Sequence, residues 1–98
     1  MIYYDKNGVC VRDSISDDTL YLSTRLRKSD VEEIWASHHH TPKDALMLSL
    51  EKSTVCMTIL MKDKPVGMFG IVPESLLGDK AVIWLLASDD INKLRCVF

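Results

Sequence analysis

A run of three consecutive histidines, His38, His39 and His40, is the most chemically suggestive feature of the sequence. Zinc ligands usually come at spacings that converge on one point, with cysteine or carboxylate partners. Consecutive side chains point in different directions, and no paired cysteine accompanies these three. We therefore interpret the run as a polar junction between two helices and predict no metal site. Metal binding, and a histidine that faces a substrate or partner and titrates near neutral pH, stay open as alternatives.

The three cysteines, Cys10, Cys56 and Cys96, are widely spaced and form no Cys-x-x-Cys pair. An odd number at such spacings is typical of reduced cytosolic thiols rather than of a disulfide framework. Cys56 lies in an apolar segment, so we interpret it as a small core residue and not as a nucleophile. We expect Cys10 and Cys96 to be more exposed.

The charge pattern argues against nucleic acid as a partner. Twelve Lys and Arg stand against 14 Asp and Glu, for a net charge of -2, and no dense basic run occurs. The local basic cluster of Arg25, Arg27 and Lys28 is interpreted as solvated surface, with a contact for an acidic partner as the alternative. Asp89 and Asp90 have a sufficient structural role at the start of a helix, where the helix dipole stabilises carboxylates.

Length and composition indicate one globular domain over residues 1–98, with 47% hydrophobic and 27% charged residues. The longest apolar stretches, Val55–Met61 and Ala81–Ala87, are far shorter than the ~20 residues that span a bilayer. The first residues lack the basic start and apolar core of a signal peptide. We predict no membrane span and a cytoplasmic location.

The elements that must position these residues begin with a hairpin over residues 1–12, because the turn-prone Asn7-Gly8 pair lies between two β-prone segments. A loop is predicted over residues 13–18 and a short strand over residues 20–22.

Two helices follow in the predicted order. The first begins at Ser29, where Glu32 completes a capping box, and it ends around residues 37–40. The second has Thr41 as N-cap and Pro42 at its first position, and ends near residue 52.

The second half of the chain is predicted as strands and one last helix. Val55–Met61 and residues 66–72 pair across a tight turn, and residues 73–80 form a loop. Ala81–Ala87 is the most hydrophobic strand, expected to be buried on both faces. A last helix over residues 88–98 would have Ile91, Leu94 and Val97 or Phe98 on its inner face. The predicted core also includes Trp35, Trp84, Met47, Met57, Met61 and Met68.

This order of elements resembles the first half to two-thirds of a GNAT acyltransferase domain. More narrowly, it is similar to the GNAT-related small internal virion proteins of short-tailed bacteriophages and prophages. The resemblance covers residues 20–98 and implies an α+β fold, a mainly antiparallel sheet with two packed helices in a shortened GNAT-like core. It rests on residues 22–27 before Asp30-Val31-Glu32-Glu33-Ile34-Trp35, on Ser49-Leu50, on Lys64-Pro65-Val66-Gly67, and on Ile83-Trp84-Leu85-Leu86-Ala87-Ser88-Asp89.

The sequence departs from a GNAT enzyme where the cofactor would bind. The resemblance implies a Gly-rich loop after Ala81–Ala87, whose amides hold the pyrophosphate of acetyl-coenzyme A. That place holds Ser88-Asp89-Asp90-Ile91-Asn92-Lys93, with no glycine and with two carboxylates that oppose a polyanion. We therefore predict no catalytic residue and no cofactor.

The resulting prediction is a non-catalytic phage or prophage protein that acts by protein binding, as an internal virion or morphogenesis component. It would lie in the host cytoplasm or the virion. A final helix of roughly two turns and a strand edge without a neighbour invite self-association or docking on a partner. The candidate partner-binding residues are Trp84, Leu94, Val97, Phe98, Arg25 and Arg27.

Two alternatives remain at this point. In an acetyl-coenzyme A-dependent N-acyltransferase, or a fragment of one, backbone groups of Leu86, Ala87 and Ser88 would grip pantetheine. A histidine from the His38, His39 and His40 run would assist deprotonation of an amine. A phage-encoded inhibitor of a host enzyme or defence complex would differ from the first prediction only in its partner.

Overall fold

Five strands form one antiparallel sheet, in the order β1-β2-β3-β4-β5, in the computed structural model of the chain. The structure describes residues 2–73 and 80–96, including their side chains except at positions 37, 38 and 93–96. The strands are β1 (Ile2–Lys6), β2 (Val9–Asp13), β3 (Val55–Met61), β4 (Lys64–Pro73) and β5 (Ala81–Ala87). Between β2 and β3 lie the helices α1 (Ser16–Ser23), α2 (Lys28–His38) and α3 (Pro42–Lys52), and a 3₁₀ helix (Asp89–Cys96) follows β5. The predicted α+β class is confirmed.

Tight turns join two of the strand pairs. Asn7 and Gly8 have φ of 57° and 79°, and Lys62 and Asp63 have φ of 51° and 65°. Left-handed residues at both central positions match the natural twist of paired strands. The predicted N-terminal hairpin is confirmed, and the pairing of Val9 with Met61 joins it to the main sheet.

The helices cover one face of the sheet. Leu22 of α1, Leu46 of α3 and Met68 of β4 are fully buried there, with Trp84 and Leu86 of β5 packed against them. A smaller cluster lies on the opposite face, where Val9 and Val66 are buried and Ile91 of the 3₁₀ helix packs against them. The sheet is therefore packed on both faces around Val9 and Val66, whereas Ile83 and Leu85 of β5 stay exposed on the face away from the helices.

The predicted strand over residues 20–22 is wrong, because this segment lies within α1. A strand would put Leu20 and Leu22 on the same face, yet Leu20 is exposed and Leu22 is fully buried. The predicted loop over residues 13–18 is also too long, since α1 begins at Ser16 and the Asp18 carboxylate accepts a hydrogen bond from the amide of Ile15. Three α-helices therefore lie between β2 and β3, where the sequence predicted two.

The other two helices agree better with prediction. Thr41 caps α3 by accepting a hydrogen bond from the amide of Asp44, and Pro42 stands in the first turn. Helix α2 begins one residue before the predicted Ser29, and its N-cap Arg27 makes no side-chain capping bond. The predicted capping box is therefore wrong.

Two predicted core side chains lie at the surface. Trp35 is exposed on α2 and contacts the His39 ring edge-on, with 5.1 Å between ring centroids. Met47 on α3 is exposed as well, whereas Met68 is buried as predicted and Met57 and Met61 are partly buried. An i, i+3, i+4 pattern identifies an apolar face, but the packing of α2 decides which part of that face meets the sheet.

The bounds of β5 are confirmed, but its predicted burial on both faces is wrong. In the described part of the sheet β5 has β4 as its only neighbouring strand, so it forms an edge. Val82, Ile83 and Leu85 are exposed. The segment after β5 is a 3₁₀ helix rather than the expected α-helix, and the expected inner positions Leu94, Val97 and Phe98 lie outside the described side chains.

Candidate functional site

The outer edge of β5 carries backbone groups that make no hydrogen bond to another strand in the described part of the sheet. The amide of Ser88 donates to the carbonyl of Val66 on β4 at 2.9 Å, whereas the amide and carbonyl of Ala87 bond to α2 and the residue before it. Backbone groups of alternate residues point to opposite sides of a strand in an antiparallel ladder. The N–H and C=O groups of Ala81, Ile83 and Leu85 therefore face away from β4, and we call them the outer edge of β5.

Asp30 closes one end of this edge. The residue is 6% exposed, and its carboxylate accepts hydrogen bonds from the Arg27 guanidinium at 3.0 and 3.1 Å and from the Ala87 amide at 3.1 Å. The backbone amide of Arg27 in turn donates to the carbonyl of Ala87 at 2.8 Å. This junction joins the first turn of α2 to the last residue of β5. An added strand can therefore pair with Ala81, Ile83 and Leu85 but not with Ala87.

A groove runs beside the outer edge. It has a volume of about 330 Å³ and lies between β5 and the helices α2 and α3. Ile34 and Ala45 supply apolar wall from the helices, and the exposed side chain of Glu33 adds a negative charge to the lining. A chain added along β5 would place alternate side chains in this groove.

The opposite face of β5 is apolar and open to solvent. Ile83 is 77% exposed and Leu85 is 45% exposed. The strand register extends these positions into two rows across the sheet, Val55 with Ile71 and Ile83, and Met57 with Phe69 and Leu85. We call these six residues the open sheet face. Contiguous exposed apolar surface of this kind is typical of interaction sites.

The three histidines lie at the junction between α2 and α3. His38 ends α2, its side chain lying outside the described set, and His39 has a left-handed C-cap conformation with φ of 56°. His40 lies beside a shallow depression along α3. Among the described residues, no group of three His, Cys, Asp or Glu side chains could hold a metal ion.

The candidate cofactor-binding groups serve the fold. The Ala87 amide donates to Asp30 and the Ser88 amide donates to Val66. Leu86 packs its side chain into the core under the helices, and the strand alternation directs its amide toward β4. A pantetheine chain would have to displace these internal bonds.

The candidate partner-binding residues separate into different places. Trp84 is partly buried, and its indole N–H donates to the hydroxyl of Ser53 at 2.8 Å. Arg25 stacks on the Tyr21 ring, 3.9 Å from its centroid, and Arg27 pairs with Asp30. Leu94, Val97 and Phe98 lie outside the described side chains, and of the three candidates that are described only Trp84 lines the groove at the outer edge.

A buried polar chain between α1 and the sheet went unnoticed in the sequence. Thr58 donates to the Asp18 carboxylate at 2.7 Å, so the hydroxyl of Ser14, 2.8 Å from that of Thr58, must donate to Thr58. Cys56 in turn donates to Ser14 at 3.3 Å, and Arg12 binds Asp18 with both terminal nitrogens. The signal that could have located it is Thr58, the one polar residue in an apolar strand.

The pKa shifts within this group of hydrogen-bonded side chains indicate a structural role. Burial raises the pKa of Asp18, but the hydrogen bonds from Arg12, the Ile15 amide and Thr58 outweigh it, and the pKa lies below its usual value of 3.8. Burial raises the pKa of the Cys56 thiol, the hydrogen bond with Ser14 lowers it, and the charge of Asp18 raises it further, so the net shift is upward. A thiol shifted in this direction stays protonated at neutral pH and is a poor nucleophile.

Comparison with known proteins identifies no relative of this protein, so its candidate site is described from geometry alone. No family model, curated protein or solved structure matches the chain. In the described part of the chain, no helix combines the length and apolar character that a bilayer crossing requires.

Proposed function

We propose that the chain is a non-catalytic protein-binding component whose working surface is the outer edge of β5. The observation that carries this proposal is the row of outward-facing backbone groups at Ala81, Ile83 and Leu85, with a groove on one side and exposed apolar side chains on the other. An extended segment that adds to a sheet edge gains affinity from main-chain hydrogen bonds and specificity from alternate side chains. The outward backbone groups of β5 would supply the hydrogen bonds, and the groove would receive the alternate side chains.

The proposed fold assignment is a shortened GNAT-like core. The order β2-β3-β4-β5 with helices inserted after β2 supports it, and β2 takes the place that the sequence assigned to residues 20–22. On the same resemblance, we propose that the protein works as an internal virion or morphogenesis component of a phage or prophage. Its presence inside particles can be measured by mass spectrometry of protease-treated phage whose genome carries the gene.

An acyltransferase is the less supported alternative. The amides of Ala87 and Ser88 already have acceptors, and Asp89 and Asp90 are exposed where the pyrophosphate would bind. We expect titration calorimetry of acetyl-coenzyme A at millimolar concentration to give no heat of binding. Binding at micromolar concentration would contradict the non-catalytic assignment.

The binding surface can be tested by site-specific photo-cross-linking during phage growth. A benzoylphenylalanine at Ile83 is expected to cross-link to protein, because this residue is 77% exposed and its side chain lies on the open sheet face beside the outer edge. The matched control is the same residue at Tyr3, which is exposed on β1 at the far edge of the sheet. Equal yields from the two positions, or no product from Ile83, would contradict the proposed surface. Co-purification from host lysate separates a virion component from an inhibitor of a host enzyme.

A further inference from the structure

We infer that the chain which adds to the outer edge of β5 is a second copy of this protein, paired antiparallel about a two-fold axis that passes at Ile83. This inference rests on the proposed function and names its partner. Three observations carry it: the position of the outward backbone groups, the chemistry of the two faces, and the charges at the ends of the pairing.

The backbone groups select one register. If Ile83 of one protomer faces Ile83 of the other, Ala81 of each faces Leu85 of the other, and each of these pairs exchanges both N–H···O bonds. A two-fold axis at Trp84 instead would bring Ala81 opposite Ala87. The amide and carbonyl of Ala87 are already bonded to Asp30 and Arg27. Within the described residues, only the register about Ile83 pairs all the outward groups with one another, and it leaves the described hydrogen bonds of Ala87 in place.

The side chains of β5 do not oppose this pairing. Edge strands are commonly protected by a charged residue or a proline, and Ala81–Ala87 contains neither. Two-fold pairing brings the Ile83 side chains together on the open sheet face, and the row Val55, Ile71 and Ile83 continues into the same row of the second copy. The most exposed apolar side chain on β5 is thereby partly covered.

The charges at the ends of the pairing are complementary. In the Ile83 register, Lys80 of one protomer stands opposite Leu86 of the other, and strand alternation places it on the helix side. Leu86 and Glu33 line the same groove. Lys80 and Glu33 are both exposed in the single chain. Because of the two-fold symmetry, Lys80 of each protomer lies near Glu33 of the other, so the dimer has one such pair at each end of the paired strands.

The experiment is sedimentation equilibrium of the full chain, with proline and charge variants. We expect wild type to dimerise, with a particle of twice 11.1 kDa. Ile83→Pro removes an N–H that faces away from β4, so the ladder with β4 stays intact while the dissociation constant rises at least ~100-fold. Circular dichroism verifies that this variant is folded.

Charge reversal identifies the register. Glu33→Lys and Lys80→Glu are each expected to raise the dissociation constant about tenfold. The double variant is expected to restore it to near the wild-type value. Glu51→Lys, an exposed reversal on α3, is the matched control and should change nothing. A double variant as weak as the single ones would overturn the register.

The outcomes separate this inference from the function on which it rests. A wild-type chain that stays monomeric at 0.1 mM overturns the second copy as partner. Cross-linking of Ile83 to a different protein in that case would leave the proposed function standing. A dimer that Ile83→Pro does not weaken overturns the outer edge of β5 as the contact.

Discussion

The Asp30 carboxylate accepts a hydrogen bond from the backbone amide of Ala87, with 3.1 Å between oxygen and nitrogen. These residues are far apart in the sequence, and the bond fastens the first turn of α2 to the end of β5. It also gives an acceptor to an amide that faces away from β4, the one strand that pairs with β5 in the described part of the sheet. The buried carboxylate of Asp30 therefore holds α2 against β5 at one end of the groove.

Removing this carboxylate should destabilise the fold. Asp30→Ala leaves the guanidinium of Arg27 and the amide of Ala87 without their acceptor, and we expect the free energy of unfolding to fall by about 2–4 kcal/mol. Asp30→Asn keeps an acceptor oxygen and should lose less. Urea unfolding followed by circular dichroism measures both. Glu32→Ala, whose exposed carboxylate is 3.9 Å from Lys28, is the control and should stay within about 0.5 kcal/mol of wild type.

Acid should weaken the contact between α1 and the sheet. The pKa of Asp18 is lower in the folded chain than its usual value of 3.8, so the unfolded chain binds the proton more tightly. The stabilisation is complete above pH 3.8 and is lost as the pH falls through the folded pKa. We expect the difference in unfolding free energy between wild type and Asp18→Asn to be constant near neutral pH and to shrink below about pH 4. A difference that does not change with pH would contradict this assignment.

Gly70 should tolerate no side chain. A Cβ there would lie 2.5 Å from the carbonyl oxygen of Val55 and 2.9 Å from the indole nitrogen of Trp84. The first of these atoms is backbone, so β3 would have to move, and Gly70→Ala should cost at least about 2 kcal/mol. Gly67→Ala is the matched control in the same strand. Its Cβ would meet only side-chain atoms, at 3.3 Å or more, and should cost less than about 1 kcal/mol. Thermal unfolding of the two variants gives the comparison.

Cys56 should react slowly with alkylating reagents. Burial raises the pKa of its thiol, and the side chain packs against the core cluster of Leu22, Leu46 and Met68. In a variant with Cys10 and Cys96 replaced by serine, iodoacetamide at pH 7.5 should modify Cys56 at least ~10-fold more slowly than in urea. Mass spectrometry of timed samples gives both rates. Equal rates in buffer and urea would mean that the thiol is accessible and reactive in the fold.

Local signals in the sequence predicted several elements well. The Asn7-Gly8 turn, the Thr41-Pro42 helix start and the apolar run Val55–Met61 all appear at the expected positions. Each depends on interactions within a few residues: a left-handed turn, a capping hydroxyl, or a continuous apolar segment. Residues 20–22 misled because three residues are too few to distinguish a strand from one turn of helix, and only the burial of Leu22 against Leu46 decides it.

The candidate site depended on information that is not local. The sequence by itself determined the α+β class, the bounds of β5 and the absence of glycine after it. The sequence predicted a strand edge without a neighbour, but only the tertiary structure decided that β5 leaves Ile83 and Leu85 exposed, because the burial of an apolar strand depends on which elements pack against it. The tertiary structure alone also decided that Asp30 meets Ala87 and that Asp18 meets Thr58, since a polar side chain finds its partner only after the sheet and helices have packed.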